Sequence, residues 1–223
     1  MLASVNHDDL ETRARESLGA SNVAIYCMVT EASERHHASG GLLIDVGFGS
    51  GNLWSLVSSR FDRYIGVDAV SFEGFPADAE FHRVDLDIGK VPLPDDSAIV
   101  VVAVETIEHL ENPRAFMREL VRVAEPGGWV IVTTPNLLSL LTLVVRHRFV
   151  AFQDVDYPAH RTALLEVDLR RIAAECDLTD VGIMYSHEGR VPLTRWHYPK
   201  FLAKLFPRAL SDNLLLIGRK PGA

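Results

Sequence analysis

Glu105, Glu108 and His109 stand at positions i, i+3 and i+4 of the stretch Glu105-Thr-Ile-Glu-His. If Glu105 opens a helical turn, that spacing presents two carboxylates and an imidazole on one face. Three such groups can hold a divalent ion; histidine favours Mn, Co or Zn by affinity, whereas Mg is the most available. The same three residues could instead cap a helix or order a neighbouring loop. His160, in Tyr157-Pro-Ala-His160-Arg, is the further ligand expected from the other side, leaving positions open for substrate. His147 and His160 are also the candidate bases, because imidazole titrates near neutral pH. With His160 as a ligand, the base is His147; the alternative for His147 is a plain surface residue.

A second chemical stretch is Asp45-Val-Gly47-Phe-Gly49-Ser-Gly51, directly after the apolar run Leu42 to Val46. Glycines let a backbone approach a ligand and adopt positive φ, and open parallel sheets bind ligands beyond the carboxyl ends of their strands. A dinucleotide fingerprint reads G-x-G-x-x-G; here the spacing is G-x-G-x-G, with an acid two residues ahead. That carboxylate would repel a pyrophosphate and suits the sulfonium and α-amino cations of S-adenosylmethionine (SAM). Asp68, ending the run Tyr64 to Val67, is placed to accept from both ribose hydroxyls, a role shared by NAD and SAM enzymes. Asp85, at the end of the run Phe81 to Leu86, is placed to accept from an adenine amino group. Leu86 and Val104 are counted with these cofactor contacts. Each acid alone reads as a loop or cap residue; the ordered set argues for a cofactor site.

The elements that must position these groups alternate. A helix is expected over residues 8–30, then a polar loop, Glu31 to Gly41, carrying His36 and His37. Strands follow at Leu42–Val46, Tyr64–Val67, Phe81–Leu86, Ala98–Val104 and Trp129–Thr133, then near Val181–Tyr185 and at Asn213–Gly218. Between them lie helical stretches at Asn52–Arg60, after Asn112-Pro113, at Glu166–Cys176 and at Pro199–Phe206. Continuous apolar strands are those covered on both faces, and strand–helix alternation means a parallel sheet with right-handed crossovers. Residues 135–161 break the rhythm, and long connections of this kind are usually lids or binding loops. We read residues 1–223 as one domain: an N-terminal helix and loop over 1–40, and a substrate lid over 135–161.

Composition narrows the partners. The chain has 223 residues and a formal charge of −8, which disfavours nucleic acid; Arg146, His147 and Arg148 form the one dense basic cluster. Cys27 and Cys176 are far apart in apolar stretches and are expected to be buried thiols rather than a disulfide. The N-terminus lacks an apolar signal core, and the apolar run Leu137–Val145 is too short to span a bilayer. That run reads as a buried lid helix or a homodimer contact, and a surface for a lipid-linked acceptor is the third option. A cytoplasmic address is expected.

The passages LLIDVGFGSGN, YIGVD, RVDLDIGKVPLPDDS, VETIEHLENP, EPGGWVIVTTPN and NLLLIGRKP together resemble the class I SAM-dependent methyltransferases, from about Leu42 onward. The resemblance implies a Rossmann-like seven-stranded, mostly parallel sheet of order 3-2-1-4-5-7-6, its last strand antiparallel, with helices on both faces. Two departures stand out. Phe48 occupies a place where a small residue is commoner and is expected to crowd the loop, and Ala98-Ile99 replaces the usual Phe-Asp. At Glu105, Glu108 and His109 the chain is similar to ubiquinone-biosynthesis O-methyltransferases and to small-RNA 2′-O-methyltransferases, the latter also at His160. That likeness implies a divalent ion chelated by two neighbouring hydroxyls of the acceptor. A metal lowers the pKa of a bound hydroxyl, and in-line placement of the methyl group completes the chemistry. The acceptor expected first is a sugar or oligosaccharide hydroxyl, with Tyr157, Gln153, Trp196, His197 and Tyr198 as stacking and hydrogen-bonding candidates. A catechol-like small molecule comes second. A non-catalytic SAM-binding homologue and an NAD-linked oxidoreductase are the readings from other classes.

Overall fold

The computed structural model describes residues 19–72, 75–76, 79–87, 90–149 and 160–222. Seven strands form one sheet: β1 (Leu42–Val46), β2 (Arg63–Asp68), β3 (Glu80–Arg83), β4 (Ala98–Ala103), β5 (Ala124–Pro135), β6 (Thr179–Tyr185) and β7 (Asn213–Arg219), in the order β3-β2-β1-β4-β5-β7-β6. The β1–β2, β1–β4, β2–β3 and β4–β5 pairs are parallel, and β7 runs antiparallel to both its neighbours. The expected topology is therefore the observed one.

Each central strand divides its residues between two cores, because successive side chains point to opposite faces. On one face Ile44, Val46, Val101, Ala103, Val130 and Val132 pack under α3 (Pro113–Val123) and α5 (Glu166–Glu175), through Phe116, Met117, Leu120, Leu169 and Ile172. On the other, Leu43, Val100, Val102, Ile131 and Leu215 pack under α1 (Val23–Arg35) and the short α2 (Trp54–Val57), through Ile25, Met28, Val29, Ala32 and Val57. Side chains covered on both faces leave no solvated alternation, which is why these strands read as unbroken apolar runs.

Several boundaries differ from expectation. The first described helix starts at Val23, where the Asn22 side chain accepts from the Ala24 amide and caps it, and it runs on to Arg35 through residues expected to form a loop. Residues 1–18 lie outside the described part. His36 and His37 do sit beyond the helix end, His37 at φ 53°. Cys27 is exposed, contrary to expectation, because it falls on the outer face of α1, whereas Cys176 is buried. β3 stops at Arg83, two residues short of Asp85.

Among the described residues of 69–79 there is no helix. Phe75 instead brings its ring to 4.3 Å from Phe48 and about 6 Å from Tyr64 and Phe81, so an aromatic cluster covers β2 where a crossover helix would otherwise lie. Phe48 is part of that cluster. It turns over Gly66 of β2, where an added Cβ would lie 2.7 Å from its ring, and so does not crowd the glycine turn.

Candidate active site at the carboxyl edge of the sheet

The glycine turn leaves β1 at its carboxyl end and is held by its neighbours. Gly47 has φ +79°, and a Cβ there would lie 2.2 Å from Thr106 Oγ1. Its amide donates to the Val67 carbonyl at 2.7 Å, so the first glycine joins β2 to the Glu105–His109 stretch. Gly49 has φ +56°, and a Cβ there would lie 2.1 Å from the Gly19 carbonyl oxygen, which also accepts from the Ser50 amide and hydroxyl. Gly51 too has a positive φ.

Two acids lie under this turn. Asp68 accepts from the Gly49 amide at 3.0 Å and from the Ala69 amide at 2.6 Å. Burial nevertheless pushes its carboxyl above the usual range, with backbone hydrogen bonds opposing the shift. Asp45 is 1% exposed. Its Oδ2 accepts from the Tyr64 hydroxyl at 2.7 Å, while Oδ1 has no hydrogen-bond partner among the described residues. Desolvation raises its pKa to about 7; the Tyr64 bond lowers it and the charge of Asp68 raises it. A buried carboxyl with one oxygen unsatisfied fits the cationic end of SAM, and the positive-φ glycines let the turn pack closely against Thr106, Gly19 and Pro76. Asp85 lies past β3 and holds its own loop by accepting from the Asp87 amide at 3.0 Å. Leu86 is half-buried beside it, and Val104 is buried just after β4.

The Glu105–His109 stretch folds differently from expectation. Glu105 adopts φ 48°, and only Ile107–His109 form a helical turn, a 3₁₀ one. Glu105 is therefore turned away from the common face. Its amide donates to Thr133 Oγ1 at 2.9 Å, and its Oε2 accepts from Asn213 Nδ2 at 2.8 Å. Burial lifts this carboxyl to about 7, against hydrogen bonds from Thr133 and Asn213.

Glu108, His109 and His160 are brought together, one ligand atom of each lying within 4.8 Å of the others. Glu105 does not join that group. Glu108 is buried, and the His109 and His160 rings meet edge-on at 4.9 Å. The position of His160 is secured by its sequence neighbours. The Arg161 and Thr162 amides both donate to the Glu108 carbonyl at 2.9 Å, and Thr162 Oγ1 donates to the Leu110 carbonyl at 2.8 Å. Arg161 also pairs with Glu111. One carboxylate and two imidazoles make a donor set suited to a first-row divalent ion. His147 lies in α4 (Leu140–Phe149), but its side chain falls outside the described part, as do Gln153 and Tyr157.

Sequence reasoning missed Tyr64, Thr106, Thr133 and Asn213. Each sits in an apolar strand or beside the acids, with no spacing to mark it. Thr133 and Asn213 reach Glu105 from β5 and β7, whose register sets Thr133 opposite Leu215 and Pro135 opposite Asn213.

Residues 44–132 match the family model of a methyltransferase domain. A protein of Mycolicibacterium smegmatis described as a probable S-adenosylmethionine-dependent methyltransferase is 35% identical over 107 residues, 47% of this chain and 42% of that one. A malonyl-[acyl-carrier protein] O-methyltransferase of Marinomonas is 30% identical over 101 residues, 42% of this chain and 37% of that one. The chain thus spans less than half the length of these relatives. Among solved structures, a SAM-dependent methyltransferase from Archaeoglobus fulgidus superposes with a TM-score of 0.63 at 18% identity, over 87% of this chain and 94% of that one. The architecture is the Rossmann-like methyltransferase fold, and its glycine-turn half carries the methyltransferase-domain match.

Proposed function

We propose that this chain is a SAM-dependent O-methyltransferase that modifies a hydroxyl of a sugar or oligosaccharide with the help of a divalent metal. The observation that carries the proposal is a shared edge: the glycine turn with Asp45 and Asp68 leaves β1 and β2 on the side where Glu108, His109 and His160 converge after β4. Methyltransferase relatives support the SAM half of the reading.

In this reading Asp68 accepts from the ribose hydroxyls, Asp85 and Leu86 flank the adenine, and Val104 lines the pocket. Asp45 offers its unsatisfied oxygen toward the cationic end of the cofactor. SAM supplies the methyl group on a sulfonium that makes it labile. Glu108, His109 and His160 would hold the metal, and Glu105 positions the stretch through Asn213 and Thr133. With a divalent ion held there, Mg by availability or Mn, Co or Zn by ligand type, the pKa of a coordinated hydroxyl would fall. His147 is the proposed base. Orientation of acceptor and donor on one rigid edge contributes through proximity. The acidic chain disfavours RNA acceptors, and a vicinal diol is the sugar feature that would chelate a metal held by two imidazoles and one carboxylate.

Calorimetry with SAM and S-adenosylhomocysteine, then SAM turnover across sugars and catechols with and without EDTA, tests both halves. Binding of both nucleosides and EDTA-sensitive turnover of a sugar are expected. Absence of nucleoside binding overturns the first half, and turnover indifferent to EDTA overturns the second.

A further inference from the structure

The connection between β6 and β7 carries a surface feature that the active site does not use. Between Gly189 and Ser211 there are five basic residues (Arg190, Arg195, Lys200, Lys204 and Arg208) and no acidic one, in a chain whose net charge is −8. The same stretch exposes large apolar side chains: Trp196 is 77% exposed, Phe201 70%, Leu205 66%, and Leu193 and Phe206 more than half. The stretch is nonetheless anchored. Ala203 of α6 (Lys200–Leu205) and Leu210 of α7 (Pro207–Leu210) are buried, and Asn136 Nδ2 donates to the Arg208 and Ser211 carbonyls. Phe201 and Leu205, four residues apart, therefore share the outward face of a one-and-a-half-turn helix whose Ala203 is the inward contact.

We propose that this patch docks on the surface of an anionic phospholipid bilayer. Arg195, Lys200 and Lys204 make no ion pair among the described residues, and they flank the exposed Trp and Phe. Cationic residues beside large apolar and aromatic ones are the composition of a segment lying in the headgroup region. No helix among the described residues is long and apolar enough to cross a membrane, so the contact is peripheral. A sugar platform is a poorer occupant, because residues 189–211 contain no carboxylate or carboxamide to bond hydroxyls. A symmetric contact between two copies would set the same positive charges against each other. Asn213, Pro135 and Tyr185 lie at the ends of their strands beside this stretch, on the carboxyl edge shared with the glycine turn. The patch and the candidate site thus face the same side of the sheet.

Co-sedimentation of the full chain with phosphatidylcholine vesicles, with or without phosphatidylglycerol, tests the inference independently of any methyl transfer. Binding is expected only when phosphatidylglycerol is present, weakening on the order of tenfold as salt rises from about 0.05 M to about 0.5 M. Brominated lipid should quench tryptophan fluorescence, and Trp196→Phe should remove most of that quenching, since Trp54 and Trp129 are more buried. The variants Phe201→Ser with Leu205→Ser, and Lys200→Glu with Lys204→Glu, alter exposed positions and should each abolish binding while leaving the fold's circular dichroism unchanged. Equal binding to both vesicle types, no binding to either, undiminished binding of either double variant, or a dimer that buries Trp196 in place of vesicle binding would overturn it.

Discussion

The amide of Gly49 donates to the carboxylate of Asp68 at 3.0 Å, so the middle glycine of the turn and the acid ending β2 hold each other in place. The β1–β2 register, Asp45 opposite Gly66, puts both acids beneath the same turn. The turn is therefore fixed to both strands through its own backbone.

Packing of the turn sets a difference between two glycines of similar φ. Gly47→Ala combines a left-handed conformation with a contact 2.2 Å from Thr106 Oγ1, whereas Gly127→Ala meets nothing nearer than 3.5 Å. Chemical denaturation should show Gly127→Ala costing about 1 kcal/mol and Gly47→Ala well above about 2 kcal/mol. Equal losses would mean that the Thr106 contact relaxes freely.

In the proposed reading, Asp45 would make cofactor binding pH-dependent. Its carboxyl titrates at about 7 because burial disfavours the anion, and the ionised form is the one that would attract the cationic end of SAM. The affinity for SAM should rise roughly tenfold between about pH 6 and about pH 8, and Asp45→Asn should flatten the profile. For stability the sign reverses. A carboxyl raised in the folded state stabilises it fully below the unfolded value near 3.8, and this contribution disappears as pH rises through about 7. Urea midpoints of the ligand-free protein should show Asp45→Asn abolishing that decline.

The proposed metal ligands are distinguishable from Glu105 by substitution. Glu108→Ala, His109→Ala and His160→Ala should each weaken Mn or Zn binding by about tenfold to a hundredfold in calorimetry. Glu105→Gln keeps the Asn213 contact within reach and should change metal affinity less than about threefold. Loss of binding in Glu105→Gln alone would return Glu105 to the ligand set.

Arg122 tests the packing that supports β4 and α3. It bonds Glu119, Asp95 and the Val91 and Leu93 carbonyls from a largely buried position. Arg122→Met removes the donors to both carbonyls and leaves Glu119 with only the Val91 amide, and it should lower stability by about 1–3 kcal/mol in denaturant titration. A change under about 0.5 kcal/mol would mean that water replaces the guanidinium at no cost.

How much of this was legible in advance depended on the range of the cause. The sheet order, the glycine turn, Asp68 and the pairing of His160 with Glu108 and His109 follow from local composition and from resemblance, because unbroken apolar runs and G-x-G-x-G are written in adjacent residues. The tertiary structure alone decided that Glu105 turns to Asn213, 108 positions away, and that Asp45 shares a hydrogen bond with Tyr64. It alone showed the aromatic cluster in which Phe48 meets Phe75 and Phe81 beside β2. Periodicity reports which face of an element is buried; which partner waits there is set by strand register and by long-range packing, and no short window of residues contains either.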